Sequence, residues 1–294
     1  LIRDIKARQS LLRETLIDED EAFEKDFIGQ SDIQDGVIKI AASICQHLNF
    51  NRATYREMQS SEDAFKYLRS ISEKVGIFIV LAGNLGSHHT NIDTKTFRGF
   101  VIADNIAPFI VINDLDSKAA WSFTLLHEVA HLWLGQTGVS GAFVENKVEK
   151  FCNDIASEIL LPQKEIECFT PNKSDFDILT REISNFAQTR NISSKLVSYR
   201  LFRQGYIRKK VWDNLDSFFY NQWIINRGKQ KSINTGKKGG PNYFIVRRHK
   251  LGKALVAVTE RMTYSGALTL TKAGFLLGVK SINVKKLFDS SRSI

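Results

Sequence analysis

The pentapeptide His127-Glu128-Val129-Ala130-His131 places two imidazoles four residues apart with a carboxylate between them. On a helix, side chains at i and i+4 project from one face about one turn apart, so both rings can reach a single tetrahedral ion. Glu128 would then stand beside the ion rather than on it. A carboxylate there can take a proton from a water that the metal has acidified and pass it to a leaving amine, which is the chemistry of peptide-bond hydrolysis. A third ligand is needed. Glu149 follows eighteen residues after His131 and is the candidate, with Glu145 one turn earlier as its competitor.

The sequence supplies elements able to hold these groups. Ala119 to Leu134 carries Trp121, Phe123, Leu126, Val129, Ala130, Leu132 and Trp133 at helical spacing. Asp116 or Ser117 can act as its N-cap and Gly135 as its stop. A second helix is expected from Glu149 to the proline at position 162. Glu149 and Asn153 lie one turn apart on it, so a face that turns Glu149 to the metal brings the Asn153 amide to where it can orient a histidine ring. Alone, Glu149 could equally be a solvated carboxylate favoured by the helix dipole. Two histidines and a carboxylate with an open position favour Zn2+, although manganese or iron can use the same ligands.

Four runs give the chain a family likeness: Arg98-Gly99-Phe100, Pro108 to Asn113, Phe123 to Leu132, and Glu149 to Asn153 leading to Leu160-Leu161-Pro162. Together they resemble the ImmA/IrrE metallopeptidases of bacteria and phages. The motifs cover about residues 76–165, and weaker similarity extends to Phe218. The resemblance implies a zincin-like, gluzincin-type α+β fold with a small antiparallel sheet packed on the HExxH helix. It also implies a zinc endopeptidase with ligands at His127, His131 and Glu149 and a general base at Glu128. The implied substrate is a helix-turn-helix repressor, cleaved to relieve repression of a mobile-element, defence or stress-response operon. Cys152 stands where the family often has alanine. The chain begins at Leu1 rather than at methionine, and the resemblance implies that an N-terminal helix-turn-helix domain can precede it.

Three segments are expected. Residues 1–75 read as helices, including Val37 to Asn51 and Ser60 to Val75. Residues 76–226 hold the peptidase core and the helices that complete it, with strands at 76–83, 98–103 and 107–113. Helices at 179–186 and 194–203, separated by Arg190-Asn191-Ile192-Ser193, have a helix-turn-helix outline, but the resemblance implies that they belong to the peptidase domain. Tyr199 and Arg200 lie there and are candidates for stabilising an oxyanion. Apolar runs such as Ile77 to Ala82 are too short to cross a bilayer. With Cys45, Cys152 and Cys168 read as reduced, mostly buried thiols, the expectation is a cytoplasmic enzyme.

Residues 227–294 differ in charge from the rest. They hold fifteen Lys and Arg against Glu260 and Asp289, which leaves 26 basic and 30 acidic residues in 1–226, so the net charge of +9 is local to the tail. Arg227 to Pro241 has the composition of a linker. Beyond it, Leu251 to Tyr264 reads as an amphipathic helix, and Thr269 to Leu277 and Ser281 to Phe288 as two short helices about Gly278. Such a module can bind DNA or other nucleic acid through phosphates, or serve as a solubilising appendage docked on the enzyme. The alternative to a peptidase is therefore a DNA-binding transcriptional regulator that keeps the zinc fold for sensing or interaction. Glu128 separates the two, because a binding fold has no chemical need of that carboxylate.

Overall fold

Apolar runs without polar alternation should make strands covered on both faces. Three such runs do so here: β1 (Phe78–Leu81), β2 (Gly99–Ile102) and β3 (Phe109–Ile112) are buried along their whole length. The computed structural model describes residues 1–84, 90–140, 147–234 and 242–290. Before the sheet come α1 (Ile2–Asp18), α2 (Val37–His47), α3 (Arg52–Glu57) and α4 (Ser61–Lys74). After it come α5 (Lys118–Trp133), the short strand β4 (Gly138–Ser140) and α6 (Lys147–Leu160). Then follow α7 (Gln163–Glu167), α8 (Phe176–Gln188), α9 (Ser194–Arg203) and α10 (Lys209–Asn234). The tail adds α11 (Tyr243–Leu251), α12 (Lys253–Tyr264), α13 (Leu270–Leu277) and α14 (Val284–Asp289). The fold is α+β, mostly helical, and zincin-like.

The sheet is mixed, not antiparallel throughout as the sequence led us to expect. Its order is β1-β3-β2-β4, with β1 parallel to β3 and the other pairs antiparallel. The physical reason lies in the connections. Residues 103–108 form a short reversal that makes β2 and β3 antiparallel neighbours, whereas 82–98 is long enough to carry β2 past the place that β3 then fills beside β1.

Side chains alternate across the strands and feed two cores. Ile79, Leu81, Val101, Ile110 and Ile112 join α2, α4, α5, α6, α8 and α9 on one face. Phe78, Val80, Phe100, Ile102, Phe109 and Val111 join α1 and α11–α14 on the other. The first helix and the basic tail therefore share one core across the sheet from α5.

One expectation about the tail needs correction. The linker composition does not begin a linker at Arg227: α10 continues to Asn234, because Arg227, Lys229, Gln230 and Lys231 are good helix formers that outweigh Gly228. Residues 235–241 lie outside the described residues. The helix expected over 251–264 is α12, which starts at Lys253; α11 precedes it, and Gly252 at φ +84 separates the two.

A buried ion pair ties the tail to α4. Arg69 Nε donates to Glu73 Oε1 at 3.1 Å, Arg69 Nη1 to the His249 carbonyl at 2.6 Å, and Nη2 to the Lys250 carbonyl at 3.2 Å. Glu73 Oε2 accepts from the backbone amides of Lys253 (3.1 Å) and Ala254 (3.4 Å), which opens α12. Burial pushes the Glu73 carboxyl above its ordinary range, while Arg69 and these amides pull it back. A side chain at position 252 would collide with Glu73 and Arg69. Glu73→Ala would leave the Arg69 guanidinium buried without its counter-ion, so a stability loss of about 3–5 kcal/mol is expected by chemical denaturation. A change within experimental error would show that the tail is not anchored through this pair.

Candidate metal centre

α5 is buried almost continuously from Trp121 to Trp133, which its apolar composition requires. Ser117 is its N-cap residue, without a side-chain cap bond, while Asp116 Oδ1 accepts from the Ser117 amide at 2.7 Å. Gly135 takes φ +64 immediately after the C-cap Leu134, a left-handed turn that ends the helix. α6 packs along α5, so the first turn of α6 faces the His127–His131 turn of α5.

The sequence candidates converge there. His127 Nε2 lies 3.1 Å from Glu149 Oε2 and 3.1 Å from His131 Nε2, and His131 Nε2 lies 3.3 Å from Glu149 Oε1. Tetrahedral bonds of about 2.0–2.1 Å place neighbouring ligand atoms about 3.3 Å apart, so this triangle has the dimensions that one metal ion requires. The donor set fits as well. Two imidazole nitrogens and a carboxylate lie within reach of one another, and among the described residues His127, His131 and Glu149 form a cluster able to hold a metal ion. Glu145 lies outside the described residues.

Electrostatics agree with ligation. Burial lowers the His127 pKa, and neighbouring His131 lowers it further, against the raising influence of Glu149 and of a hydrogen bond to Asn153. Burial would raise Glu149, but hydrogen bonds from His127 and His131 and their charge outweigh it and bring the carboxyl down to about 2. A neutral His127 beside an ionised Glu149 is the state that a metal ion needs. Cys152, on the next turn of α6, is fully buried, and its thiol is pushed up by burial and by the Glu149 and Glu128 carboxylates. It stays protonated and acts as packing. Of the other cysteines, Cys45 is half-buried and Cys168 exposed, so only Cys152 is the buried thiol the sequence suggested.

Glu128 has no solvent exposure. Strand β2 crosses directly over it: a Cβ on Gly99 would lie 2.6 Å from Glu128 Oε1 and 2.7 Å from Thr124 Cγ2. Only glycine lets the strand backbone come this close to the carboxylate. This explains physically why Arg98-Gly99-Phe100 carries a glycine, which the sequence did not reveal by itself.

Residues 73–202 match the peptidase M78 family, described as the IrrE N-terminal-like domain. The chain carries an ImmA/IrrE-type metallopeptidase domain. A search of curated proteins finds no match. The M78 domain thus spans β1 to α9 and contains His127, Glu128, His131 and Glu149.

Around the metal centre the M78 domain and α10 enclose a cleft of about 1070 Å³. His127, Glu128, Glu149 and Asn153 line it, as does Tyr199. Arg200 does not. It is buried against Glu158, with Nη2 donating to Oε2 at 2.5 Å, so the structure separates the two oxyanion candidates. Tyr199 donates to Asp154 Oδ1 at 2.8 Å, and burial and the Asp154 charge raise its pKa. Arg203 Nε also donates to Asp154 Oδ1, at 2.8 Å, and reaches the cleft unannounced by the sequence reading.

The largest omission is α10. Trp212, Phe219, Tyr220 and Trp223 form one wall of the cleft, and Lys195 of α9 pairs with Asp216 at 2.7 Å across it. The signal was present as aromatics at 212, 219 and 223, spaced seven and four apart on a helical face. Among the described residues, no helix is long and apolar enough to cross a membrane.

Proposed function

We propose that this protein is a zinc-dependent endopeptidase that cleaves a helix-turn-helix transcriptional repressor in the cytoplasm, relieving repression of a mobile-element, defence or stress-response operon. The observation that carries the reading is the convergence of His127, His131 and Glu149 beside the buried Glu128, in a cleft roomy enough for a peptide segment. A zinc ion held by the three ligands would supply an acidified water and a Lewis acid for the peptide carbonyl. Glu128 accepts the proton of the attacking water and delivers it to the leaving nitrogen as the C–N bond breaks, giving a carboxylate and an amine. Asn153 orients the His127 ring, and Tyr199, which lines the cleft, would have to exchange its bond to Asp154 to reach the developing oxyanion.

In this reading residues 76–226 are the catalytic unit, 1–75 a helical support, and 227–294 a basic module. The second reading, a DNA-binding regulator, does not exclude the first, because the tail and the metal centre use opposite faces of the sheet. The test is direct. Purified chain with zinc is expected to cut the helix-turn-helix protein encoded beside its gene at a defined bond, seen as two fragments by mass spectrometry, and a chelator is expected to stop the cut. An intact repressor after prolonged incubation with the zinc-loaded chain would reject that substrate.

A further inference from the structure

The basic residues of the tail divide into two groups. Some are spent on structure: Arg247 Nη2 donates to the Leu277 carbonyl at 2.7 Å and Arg248 Nη1 to the Leu287 and Phe288 carbonyls at 3.2 Å, so both cap helix ends. Lys250 pairs with Asp114 at 2.6 Å, and Arg261 with Glu21. Lys253 on α12 and Lys272, Lys280, Lys285 and Lys286 are exposed, and among the described residues none of them makes an ion pair. The last four lie on α13, α14 and the turn between them.

That turn has a specific form. α13 is eight residues long, Gly278 follows in the left-handed conformation (φ 57, ψ 43), and after Val279 and Lys280 a 3-10 turn at Ser281–Asn283 runs straight into α14. Gly274 sits where the two helices cross: a Cβ on it would lie 2.8 Å from the Val279 carbonyl and 3.2 Å from the Ser281 amide. Ala273, Leu277, Val284 and Leu287 are fully buried and share a core with Leu255, Val256 and Met262 of α12. One helix packed under two short helices joined by a three-residue glycine turn is the helix-turn-helix arrangement.

We propose that α12–α14 form a helix-turn-helix unit that binds double-stranded DNA, with residues 281–289 lying in the major groove. Charge complementarity argues for the occupant. The four lysines present a cationic surface suited to phosphates on both sides of a groove, with Asp289 the acid on the second helix. Ser281, and Ile282 at 78% exposure, occupy the first turn of that helix, where such units meet base edges. An isoleucine so exposed has no folding role, and a thymine methyl is an apolar partner for it. The unit packs on the sheet face opposite α5, so a duplex held there leaves the metal cleft open. This inference does not depend on peptidase activity.

The test is fluorescence anisotropy of the full chain with a labelled duplex of roughly three helical turns, titrated across salt concentrations. Affinity is expected to fall steeply with salt. In Lys285→Gln/Lys286→Gln the slope of log K against log salt should be shallower by about 1.8, since each lost phosphate contact removes about 0.9. Lys164→Gln/Lys210→Gln, two exposed lysines elsewhere, should keep the full slope, as should Glu128→Gln. Ile282→Asp should bind more weakly at every salt concentration. Thermal melts by circular dichroism confirm that each surface variant is folded. Absence of duplex binding at low salt, unchanged slopes in the Lys285/Lys286 variant, or equal affinity for poly-glutamate or single strands would each overturn the proposal.

Discussion

Glu128→Gln is expected to retain the metal in full and to lose about 10²–10⁴-fold in kcat/KM on a protein substrate. The amide is nearly isosteric with the carboxylate, so it fills the same closed space beneath Gly99 and beside Thr124 and should leave the triangle of ligand atoms undisturbed. What it lacks is the capacity to accept a proton from the attacking water. Metal content by mass spectrometry and turnover measured on the same preparation separate the two effects. A variant that keeps both metal and activity would remove Glu128 from the role of base. One that loses metal as well would show that the carboxylate supports the ligands instead. Glu128 has no solvent exposure and is not one of the three converging ligands, which favours the first division of labour.

The parts of this site that were legible in the sequence are the local ones. The i, i+4 histidines share a helix face whatever the rest of the chain does, and α5 runs from Lys118 to Trp133, within a residue of the expected helix. Glu149 was legible only as a candidate, because its place depends on α6 packing against α5, a tertiary event. The strands were found from their apolar runs, yet their order was not. The parallel β1–β3 pair is set by connection geometry that no local pattern encodes. The cleft wall from α10 is tertiary in the same way: an aromatic stripe at 212, 219 and 223 marks a buried helix face without showing what it covers. In the tail α12 to α14 were visible in their apolar spacing, whereas α11 was not, because the turn at Gly252 (φ +84) that sets it off from α12 has no local signature. The nearness of Gly99 to Glu128 is likewise a fact of strand over helix, invisible in one dimension.

His127→Ala is expected to lose stoichiometric metal. Its Nε2 is the vertex that touches both other ligands at 3.1 Å, so removing it leaves His131 and Glu149 as a pair too few to hold a tetrahedral ion. Glu149→Ala should weaken metal affinity comparably, whereas Glu145→Ala should leave it unchanged. The reverse outcome would move the third ligand one turn upstream. Asn153→Ala provides an internal scale, because a partner that only orients a ligand typically costs about 10–100-fold in affinity and a ligand costs more. Thermal stability gives a second readout that does not require a known substrate. Metal that binds only the folded state stabilises it by about 2.7 kcal/mol when present at 100 times its Kd, so added zinc should raise the melting temperature of the wild-type chain and of Glu128→Gln. It should not raise that of His127→Ala. If zinc stabilised all three equally, the ion would be bound elsewhere, and the convergence of the three side chains would be packing rather than ligation.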